Sequence, residues 1–176
     1  ASQPEEVVPA LQEVIREVGG GRHAAGYLSY EAASGLDPVL TTRASGALPL
    51  VWFGIFDRRE EADPEALDSG AAYALSEWKP TTSREDYDRS IQRIRAYIEA
   101  GDTYQVNHTI RMEAAFSGDP VSFYRDLCRS QRASYCAYLD LGRHKVLSAS
   151  PELFFSLEEG VLTTRPMKGT RPRGRW

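Results

Sequence analysis

The chain is poor in cysteine, in lysine and in long apolar runs, and each scarcity excludes something. Two cysteines, Cys128 and Cys136, cannot make a disulfide framework, and without metal-ligand spacing around them they do not make a zinc site. One falls in a predicted helix and one in a predicted strand, and both read as buried thiols of a reducing compartment. No apolar run approaches a membrane span. The N-terminus is acidic and lacks the apolar segment of a signal peptide. The expected location is therefore cytoplasmic, with no membrane partner. Positive charge is not in excess either. With 21 basic and 25 acidic residues the net charge is −4, which argues against a general affinity for nucleic acid. A local basic tail remains at Arg171, Arg173 and Arg175.

What is present is ordinary for a globular protein. Hydrophobic content is 41% and charged content 26%, so disorder is not expected. A chain of 176 residues fits one domain, residues 1–176, and can bury a core. It shows no repeat and no low-complexity segment.

The first predicted helix starts near Ser2 and Pro4. Val7, Leu11, Val14, Ile15 and Val18 recur along it at helical spacing, and Gly19-Gly20-Gly21 ends it. Residues 24–31 read as a strand, 32–47 as a loop, and the apolar run 48–56 as a strand buried on both faces. Residues 57–70 read as an exposed connection and 71–78 as another strand. A second helix is capped by Thr82 or Ser83, with Glu85 or Asp86 completing a capping box. It carries the stripe Tyr87, Ile91, Ile94, Ile98, an exposed Glu85–Arg89 pair, and Gly101 at its end. From Tyr104 to Phe116 apolar and polar residues alternate, the pattern of one long strand with a buried face. His108 lies on that face and reads as a core group. Asp119-Pro120 opens a third helix. Residues 134–141 and 144–148 then form a hairpin about Gly142-Arg143. Hairpins and alternating strands predict an α+β fold, with antiparallel sheets packed together and helices on the outer faces.

The stretch from Ser148 to Gly174, SASPELFFSLEEGVLTTRPMKGTRPRG, carries the chemistry. It reads as a hairpin of 152–157 and 161–164 about Gly160. A three-residue loop centred on Gly160 would set Glu152 opposite Lys168, and opposed residues share a face with Cβ atoms roughly 4.5–5.5 Å apart. A two-residue loop would shift that register by one. Lys168 is one of three lysines against eighteen arginines, and Arg165, Arg171 and Arg173 are near it in sequence. Neighbouring positive charge favours a neutral, nucleophilic amine. Gly169 and Gly174 permit close approach to a ligand, and Thr170 offers a hydroxyl. From spacing alone, a basic solvated loop after a hairpin is the stronger reading.

Whole segments change that balance. GDTYQVN (101–107), SASPELF (148–154), RPMKGTRPRG (165–174) and AAGYLSYEAASGLDP (24–38) resemble component I of the aminodeoxychorismate synthases, within the chorismate-utilising enzymes. The lysine of P-x-KGT-x-x-R separates that branch from the anthranilate synthases, which carry alanine there. The resemblance implies an amino-transferring enzyme of para-aminobenzoate and folate biosynthesis that replaces the ring carbon 4 hydroxyl of chorismate. Lys168 would add to carbon 2, Glu152 would protonate the departing hydroxyl, and ammonia would enter at carbon 4. Gly169 and Thr170 would lie against the substrate. Leu153, Phe154 and Phe155 would surround the acid. The resemblance also implies Mg²⁺ and a glutamine amidotransferase subunit that delivers ammonia.

Ser134, Tyr135 and Cys136 match the remainder of an effector pocket, with its usual proline replaced. Met167 stands where isoleucine is usual. The chain stops at Arg175-Trp176, where the family continues into a portion bearing the Mg²⁺-holding glutamates. The expectation is a fragment with no metal ligands of its own, inactive alone. The rival readings are an anthranilate or isochorismate synthase-type enzyme, and a non-catalytic binding module whose basic tail contacts a partner.

Overall fold

The computed structural model describes residues 1–44, 46–61, 70–131 and 134–166. The described residues form two compact units, one from the ranges 1–68 and 124–176, the other from 69–123. The architecture is mixed α and β, and among the described residues every strand pairing is antiparallel.

The first unit opens with a 3-10 turn, Pro4–Glu6, that leads into α1 (Val7–Gly19). The Glu6 carboxylate accepts the backbone N–H groups of Ser2 (2.7 Å) and Gln3 (3.1 Å), and these bonds hold its pKa below the usual carboxylate value. α1 packs on the ribbon of β1 (His23–Leu28) and β2 (Val51–Phe56). A 3-10 turn at Tyr30–Ala32 and a single helical turn, α2 (Ala33–Leu36), lie between the two strands. The core here is Val7, Ala32, Leu50 and Val51, with Leu11 and Phe53 against it. Only Val51 of β2 is fully buried. The strand expected to be covered on both faces is thus half-covered, because among the described residues its sheet has two strands.

The second unit contains β3 (Tyr73–Leu75), β4 (Lys79–Pro80), α3 (Arg84–Ala100), β5 (Met112–Glu113) and β6 (Phe116–Gly118). β3 pairs with β6, and β4 with β5. Ser83 caps α3, its Oγ accepting the Asp86 N–H at 3.1 Å, and Gly101 closes the helix at φ 80°. The positive φ is what glycine supplies at a helix end. Arg89 pairs with Asp86 and not with the expected Glu85, while Arg84 pairs with Asp88 at 2.9 Å. Tyr73, Phe116 and Phe123 cluster, with ring centroids 5.2–6.3 Å apart.

The long strand expected over 104–116 does not form. Only 112–113 and 116–118 are paired, and Tyr104 is 91% exposed. Alternation marks a segment that can present two faces, but a strand also needs a neighbour to satisfy its backbone. The available neighbours, β3 and β4, are three and two residues long. His108 is exposed, its ring 5.6 Å from Tyr87.

Asp119 caps α4 (Pro120–Gln131): its carboxylate accepts the Ser122 N–H at 2.9 Å and the Ser122 hydroxyl at 2.8 Å. The first unit then continues as β7 (Tyr135–Asp140) and β8 (Lys145–Ser150), paired in unbroken register from Tyr135–Ser150 to Asp140–Lys145. At the turn, Asp140 accepts the Gly142 N–H at 2.8 Å and pairs with the Lys145 ammonium. Lys145 also donates to the Gly142 carbonyl at 2.7 Å. The Lys145 ammonium, and then the Gly142 N–H, lower the Asp140 pKa from 3.8. A depressed carboxylate contributes stability above its unfolded pKa and loses it as pH falls through the folded value. Acid unfolding followed by circular dichroism should therefore show Asp140→Asn closing its gap with the wild type below about pH 3.8, while remaining less stable at neutral pH.

Candidate functional site

Glu152 owes its position to a local device. β8 ends at Ser150, and Pro151 follows with no N–H to give. The Ser150 Oγ accepts the Glu152 N–H at 3.1 Å and donates to the Glu152 carbonyl at 3.1 Å. One hydroxyl thus closes the turn between β8 and β9 (Leu153–Glu158) and fixes the backbone of Glu152. Its side chain is exposed.

β9 pairs with β10 (Val161–Arg165). Glu158 faces Val161, so the loop is the two residues Glu159 and Gly160, at φ 49° and 79°. Both are left-handed, as a tight hairpin of this twist requires. This replaces the three-residue loop that would have set Glu152 opposite Lys168. The register then shifts again: Thr163 faces Ser156, but Arg165 faces Leu153, leaving Phe154 and Phe155 against Thr164 alone. The bulge shifts the pairing by one further residue in the same direction, two in all from the expected register, so that residues of like parity face each other at the end of the hairpin. Leu153 opens β9 and Arg165 closes β10, so Glu152 sits at the end of the hairpin from which the chain leaves through Pro166. Lys168, Gly169 and Thr170 lie outside the described residues, as does Met167.

The aromatic surround expected for Glu152 is not assembled among the described residues. Phe154 and Phe155 stack edge to face at 5.2 Å, and Phe154 is 85% exposed. Leu157, Val161 and Leu162 are also exposed. A two-stranded ribbon has no layer of its own to cover them.

Of the expected effector residues, Ser134 is exposed and precedes β7. Tyr135 and Cys136 are successive on that strand and point to opposite faces. Cys136 shares its face with Tyr138, whose ring stands 5.6 Å from Tyr124 of α4. The Cys128 thiol contacts both the Tyr124 hydroxyl and the Cys136 thiol. Burial first, and then Cys128, raise the Tyr124 pKa to about 12, and the same causes raise that of Cys136. This cluster was not anticipated. Its signal was Tyr124 and Cys128 four apart on a helix, with Cys136 and Tyr138 two apart on a strand.

A cleft of about 470 Å³ lies elsewhere in the same unit, lined by residues including Gln3, Glu31, Ser34, Thr42 and Arg43. Glu152 does not line it. Among the described residues no group of three or more His, Cys, Asp or Glu side chains is placed to hold a metal. No described helix is long and apolar enough to cross a membrane.

A family model described as chorismate binding enzyme matches residues 2–176. The chain is 44% identical over 98 residues to an aminodeoxychorismate synthase component 1 of Klebsiella aerogenes, covering 56% of this chain and 22% of that protein. It is 38% identical over 98 residues to that of Escherichia coli, with the same coverage. It is also 40% identical over 119 residues to an anthranilate synthase component 1 of Thermus thermophilus, covering 68% of this chain and 26% of that protein. The matched segments span about a quarter of the length of these curated relatives.

Proposed function

The chain belongs to the chorismate-binding enzyme family, and from that premise we propose that it serves the amination of chorismate at ring carbon 4. The observation that carries this reading is the lysine of the motif Pro166-Met167-Lys168-Gly169-Thr170, which follows Ser150-Pro151-Glu152 across one hairpin. The hairpin supports it, since Glu152 stands at the end from which the chain runs toward Lys168.

In the proposed sequence the Lys168 amine attacks ring carbon 2. Both conjugated ring double bonds shift, and the bond from carbon 4 to its hydroxyl breaks. Glu152 gives its proton to that oxygen, which leaves as water. Ammonia then forms a bond at carbon 4, both double bonds shift back, the lysine nitrogen leaves carbon 2, and the surplus proton of the new ammonium returns to Glu152. The sum is chorismate plus ammonia giving 4-amino-4-deoxychorismate plus water. Two groups acting at different positions of one ring must stand on either side of a small ligand. Gly169 and Thr170 are proposed to lie against that ligand, and Ser134, Tyr135 and Cys136 to border an effector. A glutamine amidotransferase partner is the proposed source of ammonia, and the cytoplasm the proposed compartment.

The described residues do not fit Mg²⁺, for want of a ligand cluster.

A second reading, amination at carbon 2 as in the anthranilate synthases, is favoured by the Thermus relative. One experiment separates the two. The intact enzyme is incubated with chorismate without ammonia, digested and read by mass spectrometry. A chorismate-derived adduct on Lys168 is expected. An unmodified Lys168 together with a 2-amino product on adding ammonia would overturn the reading.

A further inference from the structure

Cys128 has no part in the proposed function and Cys136 enters it only at the border of the effector, yet the fold brings the two side chains together. α4 and β7 follow one another with a short connection, and their facing residues run in opposite order. Tyr124 meets Tyr138, with ring centroids 5.6 Å apart. Four residues further along the helix is Cys128, and two residues back along the strand is Cys136. Four helical residues advance about 6 Å, and two strand residues about 6.6 Å. The two steps nearly match, so the cysteines oppose each other as the tyrosines do. Neither cysteine is in a disulfide, and both are partly buried, within reach of a small reagent. We propose that Cys128 and Cys136 form a site of reversible oxidation, closing to an intramolecular disulfide that staples α4 to β7, with a low-molecular-weight disulfide as oxidant.

The step balances by exchange. One cysteine thiolate attacks the small disulfide, forming a mixed disulfide and expelling one thiolate. The second cysteine thiolate then attacks the protein-side sulfur and expels the other. Two protein thiols are oxidised, one small disulfide is reduced to two thiols, and the cysteine protons end on those thiols. Because burial and Cys128 raise the Cys136 pKa, its thiolate becomes more abundant as pH rises, and closure should quicken accordingly. The Cys136 thiol is not held as thiolate, as a dedicated catalytic cysteine would be. The site is one of slow, thermodynamic oxidation.

The test equilibrates the purified chain in glutathione redox buffers, folded and in urea, with acid quenching and peptide mass spectrometry. The expected product is one peptide pair linking Cys128 to Cys136, lighter by two hydrogens. The effective concentration of the pair should be at least about tenfold higher folded than unfolded, because the fold holds the thiols together. Cys128→Ser and Cys136→Ser should each stop at a single glutathione adduct. If the folded wild type also stops at glutathione adducts, links chains to one another, or closes no better than in urea, the proposal fails.

Discussion

Replacing Lys168 with alanine in the intact enzyme is expected to reduce ammonia-dependent 4-amination by about 10³-fold or more, roughly 4 kcal/mol of barrier. The loss should fall on kcat and leave KM nearly unchanged, because an amine that attacks only after binding contributes to the transition state and not to the ground state. Lys168→Arg should fail equally. A guanidinium stays protonated and cannot offer a lone pair, although it keeps the charge. That second variant separates nucleophile from counter-ion, since a lysine that merely attracted the carboxylates of chorismate would be replaced tolerably by arginine. A 2-amino product from Lys168→Ala would fit a chain that differs from the anthranilate synthases at this position. Undiminished 4-amination would remove the lysine from the mechanism. High-performance liquid chromatography of the products decides among these outcomes.

Much of the fold was legible because its signals were local. Ser83 with Asp86, Gly101, Asp119 before Pro120, and Gly142 are devices that act within one turn, and each appears where its residue type requires. The long strand over 104–116 was misread for the opposite reason. Its alternation is real, but pairing depends on strands far away in sequence, and those are too short to engage most of it. Arg89 of α3 has two acids within reach, and sequence spacing does not choose between Glu85 and Asp86.

The hairpin of the candidate site shows the same limit more sharply. Glu158-Glu159-Gly160 is compatible with two loop lengths, since a glutamate at positive φ carries no composition signal. The bulge at Phe154-Phe155 carries none either, being a property of the pairing and not of one strand. The motif residues themselves were legible from their identity, and the tie between Ser150 and the backbone of Glu152 adds what the motif could not tell. The opposed cysteines needed two elements at once, and so escaped a reading that took each cysteine alone.

Glu152→Gln is the second large effect. Glutamine keeps the volume and the backbone bonds to the Ser150 hydroxyl but cannot release a proton to a departing hydroxyl. Loss of a general acid lowers rates by about 10²–10⁴-fold. Because Glu152 closes a local turn through its main chain, the substitution should leave thermal unfolding unchanged, and chorismate binding by calorimetry should change little. A donor that works near neutral pH needs an apolar surround. Phe154 and Phe155 are the nearest aromatic side chains in sequence, and 85% of Phe154 faces solvent. Phe154→Ser and Phe155→Ser in the intact enzyme therefore discriminate further. If either ring encloses the acid during turnover, its loss should lower kcat by less than Glu152→Gln does. A Glu152→Gln enzyme that retained its rate would assign the proton to another group.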